Sequence, residues 1–518
     1  PWTVSGLTRA AAGLVPFDDD NRPVYGGTPT DQSVIEAIQA IGDAGKAVTF
    51  YPFVLMTQMA GNGLVDPWTG VADQPVLPWR GRITTSLAPG VSGSPDGTAA
   101  AAAEVASFFG TAQPGDFALS GETVVYSGPA EWSYRRFILH YAWACKAAGG
   151  VEAFLIGSEL RGLTQIRGAG DSFPVVDALV QLAADVRTIL GAGTRISYAA
   201  DWSEYWGYHP DDGSNDHWFH LDPLWADANI DFIGVDNYMP LSDWRDGDDH
   251  LDAGWGSIYT LDYLKSNVLG GEGYDWYYAS DADRDAQTRT PVTDGAYNEP
   301  WVFRYKDLPN WWQNQHHDRP GGVRAATPTA WAPGSKPIHF TEIGCAAIDR
   351  GTNQPNKFLD PKSSESSRPY YSSGKRDDFI QMQYLRALNS FWAKAANNPT
   401  QGGTQMVDMS RAHVWAWDAR PFPWFPAKTG VWSDGQNYSA GHWLNGRATN
   451  LSLAAVVEEI CSYAGVESID TSALYGLLRG YGVSDVSSAR GALQPLMLAY
   501  GFEAAEREGK LAFFTRSG

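Results

Sequence analysis

The sequence predicts an α/β fold of the (β/α)8 TIM-barrel type with long decorated loops, followed by a small α+β segment at the C-terminus. The first observation is that short, nearly continuous apolar runs alternate with amphipathic helical stretches, as expected of strands buried on both faces of a parallel sheet. The second is that long excursions follow several of these runs, where the loops of a barrel build a site. The third is the length of 518 residues, which allows one large barrel and a smaller unit.

The first part of the chain is predicted to contain a helix, a strand and a long loop before two further helices. The helix lies in "TPTDQSVIEAIQAIGDAGK", with Thr28 as its N-cap and Pro29 at the first helical position. Residues 47–56 are apolar and predict a buried strand, and the glycine- and proline-rich stretch after them predicts a loop over one end of the barrel. The alanine-rich run 98–109 and "WSYRRFILHYAWACKAAGG" predict the two helices.

From residue 151 onwards the alternation becomes regular. Strands are predicted in "VEAFLIG", "TRISYAADW", "DFIGVDNYM", "PIHFTEIG" and "AHVWAWDA". Helices are predicted in "PVVDALVQLAADVRTILG" and "RDDFIQMQYLRALNSFWAKAANN", while residues 242–335 form a long excursion rich in Trp, Tyr, Asp and Gly. Six strands are countable with residues 47–56, and the first helix requires another strand before it. Either the first barrel strand is irregular or the chain is a fragment whose first strand lies upstream, and we favour the fragment.

The composition of the sequence changes beyond "GHWLNGRATN", and a domain boundary is predicted near residue 449. Residues 1–449 are then the barrel domain. Residues 450–518 are low in Trp and are expected to form a small helical unit with a terminal strand, as the beginning of a further domain.

The composition excludes several classes of function. With Lys+Arg 38 against Asp+Glu 59 the net charge is −21, which opposes binding to nucleic acid and to anionic membranes. No apolar run is long enough to span a membrane, and the first residues lack the layout of a signal peptide. The 22 Trp and 24 Tyr favour stacking on sugar rings, although aromatic residues also fill cores.

Neither a cofactor nor a metal is predicted. The three cysteines are far apart and show no disulfide or zinc spacing, and His316 and His317 are adjacent rather than at ligand spacing. Residues 242–252 are acidic but lack the EF-hand spacing, so a solvated loop is expected there. No nucleophile elbow, phosphate loop or dinucleotide fingerprint is present.

Two glutamates are the candidate catalytic pair. Glu159 follows the strand "VEAFLIG" and Glu342 lies in "PIHFTEIG", so both are expected at the mouth of the barrel, where the carboxyl ends of the strands meet. Hydrolysis of a glycosidic bond needs two carboxyl groups, one protonated and one ionised. Each glutamate alone could instead be a structural partner of an arginine or lysine, but two at equivalent strand ends favour catalysis.

Further residues at strand ends are candidates for binding substrate. Tyr238 could hydrogen-bond the carboxylate of Glu342, and either Trp415 or Trp417 could form the floor of a sugar site, since alternation sends only one of them inward. Each of these three could instead be a packing residue. The other candidates are Trp202 after the strand "TRISYAADW", Glu204 as a rival catalytic carboxylate, Asp236 and Asn237 as ligands of sugar hydroxyls, and Arg80, which could orient a carboxylate or bind an acidic sugar.

The motifs "FLIGSEL", "DFIGVDNYMPL", "HFTEIG" and "VWAWDARP" resemble those of retaining glycosidases with the acid/base after barrel strand four and the nucleophile after strand seven. This resemblance implies that Glu159 is the acid/base and Glu342 the nucleophile. Ser158 departs from the pattern, because most members have asparagine there. Together with "PWRGRIT", "YRRFILHYAW", "YAADWSEY", "FHLDPLWAD" and "NQPNKFLDPKSSES", the chain also resembles the TIM-barrel-like glycoside hydrolase domain of the baseplate (host-specificity) protein of gene transfer agents and phage tails.

That second resemblance implies a place in the tail of a virion or gene transfer agent, other tail or baseplate proteins as partners, and an oligo- or polysaccharide of the bacterial envelope as substrate. The alternative is a catalytically inactive carbohydrate-binding or structural baseplate module. A third possibility, an envelope peptidase or amidase, lacks a metal or nucleophile motif.

Overall fold

Five parallel strands form the central sheet of the protein in a computed structural model that describes residues 2–12, 28–421, 423–444, 451–478, 480–483 and 486–516. Their order in the sheet is their order in the chain, which is the arrangement of consecutive βα units around a barrel. Three of the strands are buried along their whole length. The strands are β1 (Thr49–Phe50), β2 (Ala153–Ser158), β3 (Arg195–Asp201), β4 (Ile233–Asn237) and β5 (Ile338–Ile343).

Five longer helices pack around this sheet and share its apolar core. Two of them begin at hydroxyl caps, since the side chains of Thr98 and Ser133 accept from backbone N–H groups of the first turn. Gly191, at φ 75°, ends the fourth helix. The helices are α1 (Asp31–Asp43), α2 (Ala99–Phe109), α3 (Tyr134–Ala147), α4 (Pro174–Leu190) and α5 (Asp378–Trp392).

The start of α1 differs from the prediction. The helix begins at Asp31 and Thr30 occupies the cap position, so Thr28 and Pro29 lie outside it. The Thr30 hydroxyl donates to the carbonyl of Thr3 instead of capping the helix, which ties α1 to the first hairpin.

Two predicted strands are shorter or more broken than expected. Only two residues of the predicted strand 47–56 pair with β2, because Pro52 has no N–H to continue the ladder. The predicted strand 412–419 is reduced to single parallel bridges, between Val414 and Ile343 and between Trp417 and Leu444, and a further bridge joins Val407 to Ile338. The described residues therefore show a five-stranded half-barrel with an interrupted segment beside β5, and not a closed eight-stranded barrel.

Smaller elements decorate the loops. Antiparallel pairs are formed by Thr3–Val4 with Leu7–Thr8, Phe117–Ser120 with Thr123–Tyr126, Trp276–Tyr277 with Thr290–Pro291, and Thr400–Gln401 with Thr404–Gln405. Short helices are Arg161–Thr164, Asp222–Ala226, Leu261–Ser266, Asp281–Ala286, Leu308–Gln313 and Trp424–Ala427. Short 3-10 turns are Arg80–Arg82, Pro114–Asp116, Ala253–Trp255, Pro300–Phe303, Pro320–Gly322, Gly351–Asn353, Met409–Arg411 and Ser433–Asn437.

The acidic stretch 242–252 is only partly the solvated loop that was predicted. Asp243 is buried and is ion-paired with Arg245 and Arg289, and Asp252 also pairs with Arg289. A buried carboxylate such as that of Asp243 is stable only when paired, and these ion pairs hold the loop together.

Residues 451–516 have an apolar core of their own. The predicted boundary near residue 449 lies outside the described residues. Leu477–Leu478 is a short strand, paired with Leu451–Ser452, where a helix was predicted. The larger elements are α6 (Leu453–Tyr463), β6 (Ile469–Ala473), α7 (Ala489–Tyr500), β7 (Phe502–Arg507) and β8 (Lys510–Thr515), with β8 at the centre of the three-stranded sheet.

The cysteines Cys145, Cys345 and Cys461 are buried free thiols. Among the helices that the structure describes, none combines the length and the apolar character needed to cross a membrane.

Candidate active site

Glu159 and Glu342 lie at the carboxyl end of the sheet. Glu159 directly follows β2 and Glu342 is the last residue but one of β5, and the side chains are buried, with 7% and 5% of each residue exposed. The registers of both strands shift near these residues, and such bulges commonly turn a side chain toward a site. Two strands, β3 and β4, separate them, which is the spacing expected between barrel strands four and seven.

A third carboxylate joins them. One carboxylate oxygen from each of Glu159, Asp236 and Glu342 lies within 4.8 Å of the other two. Three negative charges so close together in a buried place repel one another strongly, so the cluster is expected to hold at least one proton at neutral pH.

Glu159 is held by two donors from the loop after β1. The indole N–H of Trp79 donates to its Oε2 over 2.6 Å, and the guanidinium of Arg80 lies 2.9 Å from the same oxygen. Arg80 also donates to the carbonyl of Ser158, at 2.9 Å, and packs over the ring of Phe53. Arg80 therefore orients a carboxylate, one of the two roles predicted for it.

Glu342 has a different environment. The hydroxyl of Tyr238 donates to its Oε2 over 2.5 Å, as expected from the sequence, while Oε1 is buried without a hydrogen-bond partner in the described part of the chain. Burial, followed by the negative charge of Glu159, raises the pKa of Glu342 to about 8. Burial and the neighbouring negative charge therefore favour the protonated form of Glu342.

Asp236 is fully buried, and both of its carboxylate oxygens are occupied. They accept from the hydroxyls of Tyr51 and Thr341, at 2.5 and 2.6 Å. Burial and the charge of Glu342 raise the pKa of Asp236 well above its ordinary value. A sugar hydroxyl could reach this carboxylate only by displacing one of the two donors, so its position suits support of the cluster rather than the sugar contact predicted for it.

The three tryptophans predicted to bind substrate differ in their distance from the site. Trp415 comes close to the site, with its ring 5.5 Å from that of Phe53, whereas Trp417 is 66% exposed. Trp202 lies beside β4, where its backbone N–H donates to the carbonyl of Asp236, and its ring contacts Tyr305.

Glu204 and Asn237 serve the local structure. The carboxylate of Glu204 is saturated by the hydroxyls of Thr164 and Tyr198 and by the backbone N–H of Asp201, so it does not join the cluster. The side-chain oxygen of Asn237 accepts from the backbone N–H of Met239 and fixes the turn after β4.

Tyr51 and Trp79 belong to the site but were not predicted from the sequence. The hydroxyl of Tyr51 joins Ser158, at 2.7 Å, to Asp236. Trp79 is next to Arg80 in "PWRGR", which is the one signal that could have pointed to it. Tyr51 sits within an apolar run and carries no sequence signal that separates it from a packing residue.

The cluster could hold a divalent cation by distance alone, since Glu159, Asp236 and Glu342 each offer an oxygen. Its oxygens are mostly engaged, however, because Trp79 and Arg80 occupy Glu159 and two hydroxyls occupy Asp236. The donor set therefore favours proton transfer over metal binding.

The chain is similar to a known family and to chains of solved structures. A family model described as "GTA TIM-barrel-like domain" matches residues 132–426, which include β2 to β5 and both glutamates. A chain in a structure described as "Virion of native gene transfer agent (GTA) particle" is 57% identical over 17% of this chain and 20% of that chain, with a TM-score of 0.15. This match spans a fifth of the solved chain. No curated protein matches the sequence.

Proposed function

Because this chain belongs to the family of GTA TIM-barrel-like domains, we propose that it is a retaining glycoside hydrolase of a gene transfer agent or phage-like tail. The observation that carries the proposal is the pair of buried glutamates at the carboxyl end of the sheet, with carboxylate oxygens within 4.8 Å of each other. A site at this end of a barrel sheet is where catalytic residues gather in enzymes of this architecture.

The short separation supports retention. Retaining glycosidases place their two carboxyl groups about 5 to 5.5 Å apart, whereas inverting enzymes need about 6.5 to 9.5 Å to admit a water molecule between carboxylate and sugar. One oxygen of Glu159 lies within 4.8 Å of one oxygen of Glu342, which is nearer to the retaining spacing than to the inverting one. This closeness supports direct attack by a carboxylate.

In the proposed reaction, the carboxylate of Glu342 attacks the anomeric carbon and forms a glycosyl ester. The bond to the glycosidic oxygen breaks, and that oxygen takes the proton of Glu159. Water then attacks the ester, giving one proton back to Glu159 and releasing Glu342 as a carboxylate. Tyr238 donates to Glu342 and thereby orients it toward the sugar.

The proton must change its place before the bond breaks. In the free site Arg80 and Trp79 contact Glu159 through an ion pair and a hydrogen bond, while burial favours the protonated form of Glu342. One proton passing between two oxygens that lie within 4.8 Å of each other leaves both groups in the forms that the reaction needs.

The substrate class follows from the site and the family. We propose an oligo- or polysaccharide of the bacterial envelope, cleaved while the tail attaches to the cell, with other tail or baseplate proteins as partners. The net charge of −21 suits a neutral glycan better than a polyanion.

The decisive experiment is a screen of the protein on purified envelope polysaccharides and defined oligosaccharides, with the anomer of the first product followed by NMR. We expect cleavage with retained configuration, lost in Glu342→Gln. A first product of inverted configuration would refute the retaining mechanism, and full activity of Glu342→Gln would refute the site.

A catalytically inactive glycan-binding or structural module is the second candidate. The ion pair between Arg80 and Glu159 favours it, because it neutralises the group that should carry the acid proton, and Ser158 departs from the usual asparagine. This candidate predicts glycan binding that is unchanged in Glu159→Ala and no cleavage of any glycan in the screen.

A further inference from the structure

A cavity of about 400 Å³ is lined by residues that neighbour Glu159, among them Arg161 and Gly162. Trp79, which donates to Glu159, forms part of its wall. The other walls come from the loop after β1, from the short helix that follows Glu159, and from residues 208–212 after β3. Among the described residues that follow β4 or β5, Glu365 alone lines the cavity, so most of its wall comes from the segments around Glu159.

The cavity combines flat aromatic rings with hydrogen-bonding groups. Trp68, Trp79 and Tyr208 line it, and the indole N–H of Trp68 donates to the carbonyl of Arg82 over 2.8 Å, which fixes that ring while 37% of the residue stays exposed. Aromatic faces stack on the apolar faces of sugar rings, and fixed rings lose little entropy on binding. The size is within the range of sites for small ligands.

Polar side chains that could bind a ligand also line the cavity. Within the described chain, the guanidinium of Arg161 has no ion pair or hydrogen bond, and the residue is exposed. The guanidinium of Arg82 donates to both carboxylate oxygens of Asp66 at 3.4 Å and lies over the ring of Trp68. Gln165 adds an amide that can donate and accept. These groups match the hydroxyls of a sugar, which need donors and acceptors at several positions.

Two glycines bring the walls together. A Cβ at Gly81 would lie 2.3 Å from the ring of Trp79, and a Cβ at Gly162 would lie 2.7 Å from the carbonyl oxygens of Gly81 and Ile83. Both positions therefore exclude a side chain, so that the loop after β1 can lie directly against the turn after Glu159. The cavity and the hydrogen bond from Trp79 to Glu159 are built by the same close contact.

We propose that this cavity is the leaving-group subsite, which holds a neutral pyranose residue next to the scissile bond. The proposal rests on the proposed function, because the acid Glu159 must stand beside the oxygen of the leaving group. It also specifies the substrate: the enzyme acts on oligo- or polysaccharides with a sugar on the leaving side, rather than on single sugars carrying small leaving groups.

The charges around the cavity favour a neutral sugar over an acidic one. The cations Arg82 and Arg161 line the cavity together with the carboxylates of Asp211, Asp212 and Glu365, of which Asp212 is ion-paired with Arg167. A glycan carboxylate would be attracted by the first group and repelled by the second, whereas neutral hydroxyls can bond to both.

The test uses the full chain and four defined probes, the β-1,4-linked tetrasaccharides of glucose, mannose, xylose and N-acetylglucosamine. Binding to Glu342→Gln is measured by calorimetry, alone and combined with Trp68→Ala or Arg161→Ala. Trp255→Ala is the matched control, because Trp255 is also an exposed tryptophan, at 44%, on a different loop. Hydrolysis is compared on the tetrasaccharide that binds and on the 4-nitrophenyl glycoside of the same sugar.

We expect Trp68→Ala and Arg161→Ala each to weaken binding of a tetrasaccharide by about tenfold or more, and Trp255→Ala to leave it unchanged. In the otherwise unmodified enzyme, the same two substitutions should lower kcat/KM more for the tetrasaccharide than for the 4-nitrophenyl glycoside. Equal affinity in all variants, or no binding of any of the four probes, overturns the subsite. Arg161 is exposed, so its substitution keeps the test valid if Trp68→Ala fails to fold.

The two proposals fail differently. A tetrasaccharide that binds through Trp68 but is not cleaved by the unmodified chain leaves the subsite standing and removes the hydrolase. A tetrasaccharide that is cleaved equally well by Trp68→Ala and Arg161→Ala leaves the hydrolase standing and removes the subsite.

Discussion

The hydrogen bond from Tyr238 to Glu342 gives the sharpest prediction about the site. Tyr238→Phe removes only the hydroxyl that donates to Oε2 over 2.5 Å. The other oxygen of Glu342 is already buried without a partner in the described residues. The substitution thus makes the carboxylate of the proposed nucleophile considerably harder to form and to orient.

The magnitude follows from the charge of the acceptor. A hydrogen bond to a charged group contributes about 1.5 to 3 kcal/mol, which corresponds to a loss of about 10- to 150-fold in kcat/KM. Loss of the donor also raises the pKa of Glu342 further above its already raised value. The substitution should therefore lower kcat/KM by a larger factor at a pH below the pKa of Glu342 than at a pH near it.

The assay is the pH profile of kcat/KM on the best substrate from the screen. The matched control is Tyr384→Phe, because Tyr384 is also a buried tyrosine but donates to the backbone carbonyl of Met239 over 3.1 Å. We expect the control to lose some thermal stability and to keep its pH profile. A Tyr238→Phe enzyme within threefold of the unmodified protein, with an unmoved profile, would show that this hydrogen bond does not serve the nucleophile.

Three further predictions concern packing and pH. Gly81→Ala places a methyl group 2.3 Å from the ring of Trp79. The displaced ring can no longer donate to Glu159, so kcat should fall by about tenfold or more. Gly115→Ala is the control, because its methyl group meets nothing within 4 Å and should leave kcat unchanged. In the unmodified enzyme, kcat/KM should fall as the pH rises above about 8, because the pair then loses the proton that the leaving group needs; a profile flat to pH 10 contradicts this. Burial raises the pKa of Glu204 to about 8, above its value in the unfolded chain. Its contribution to the free energy of unfolding is therefore complete at low pH and is lost as the pH rises toward 8. The total loss is at most about 5 kcal/mol. Melting temperatures of Glu204→Gln across pH 5 to 8 should accordingly vary less than those of the unmodified protein, and an equal slope contradicts the assignment.

The sequence was most informative where a single residue could be placed by its strand. Glu159 and Glu342 each end an apolar run, and parallel strands bring their carboxyl ends to one edge, so their meeting was predictable from the runs alone. Tyr238 was predictable for the same reason, since it directly follows β4.

Other predictions failed where a local feature overrode the pattern. Pro52 stops the pairing of β1 after two residues, although the apolar run continues. Glu204 follows a strand as Glu159 does, but the hydroxyls of Thr164 and Tyr198 take up its carboxylate. The first outcome depends on a missing N–H and the second on hydrogen bonds between side chains. The periodicity of apolar residues reports neither of them.

The sequence by itself determined the α/β class, the order of the strands and the two glutamates at their ends, because these depend on periodicity and on the geometry of parallel strands. Only the tertiary structure decided the electrostatics of the site. Trp79 and Arg80 reach Glu159 from some 80 residues away, and Tyr51 reaches Asp236 from 185 residues away. The way the loops fold over the barrel decides which carboxylate contacts a cation and which is buried among apolar groups. These surroundings in turn determine which carboxylate is protonated, and the proposed chemistry depends on that proton.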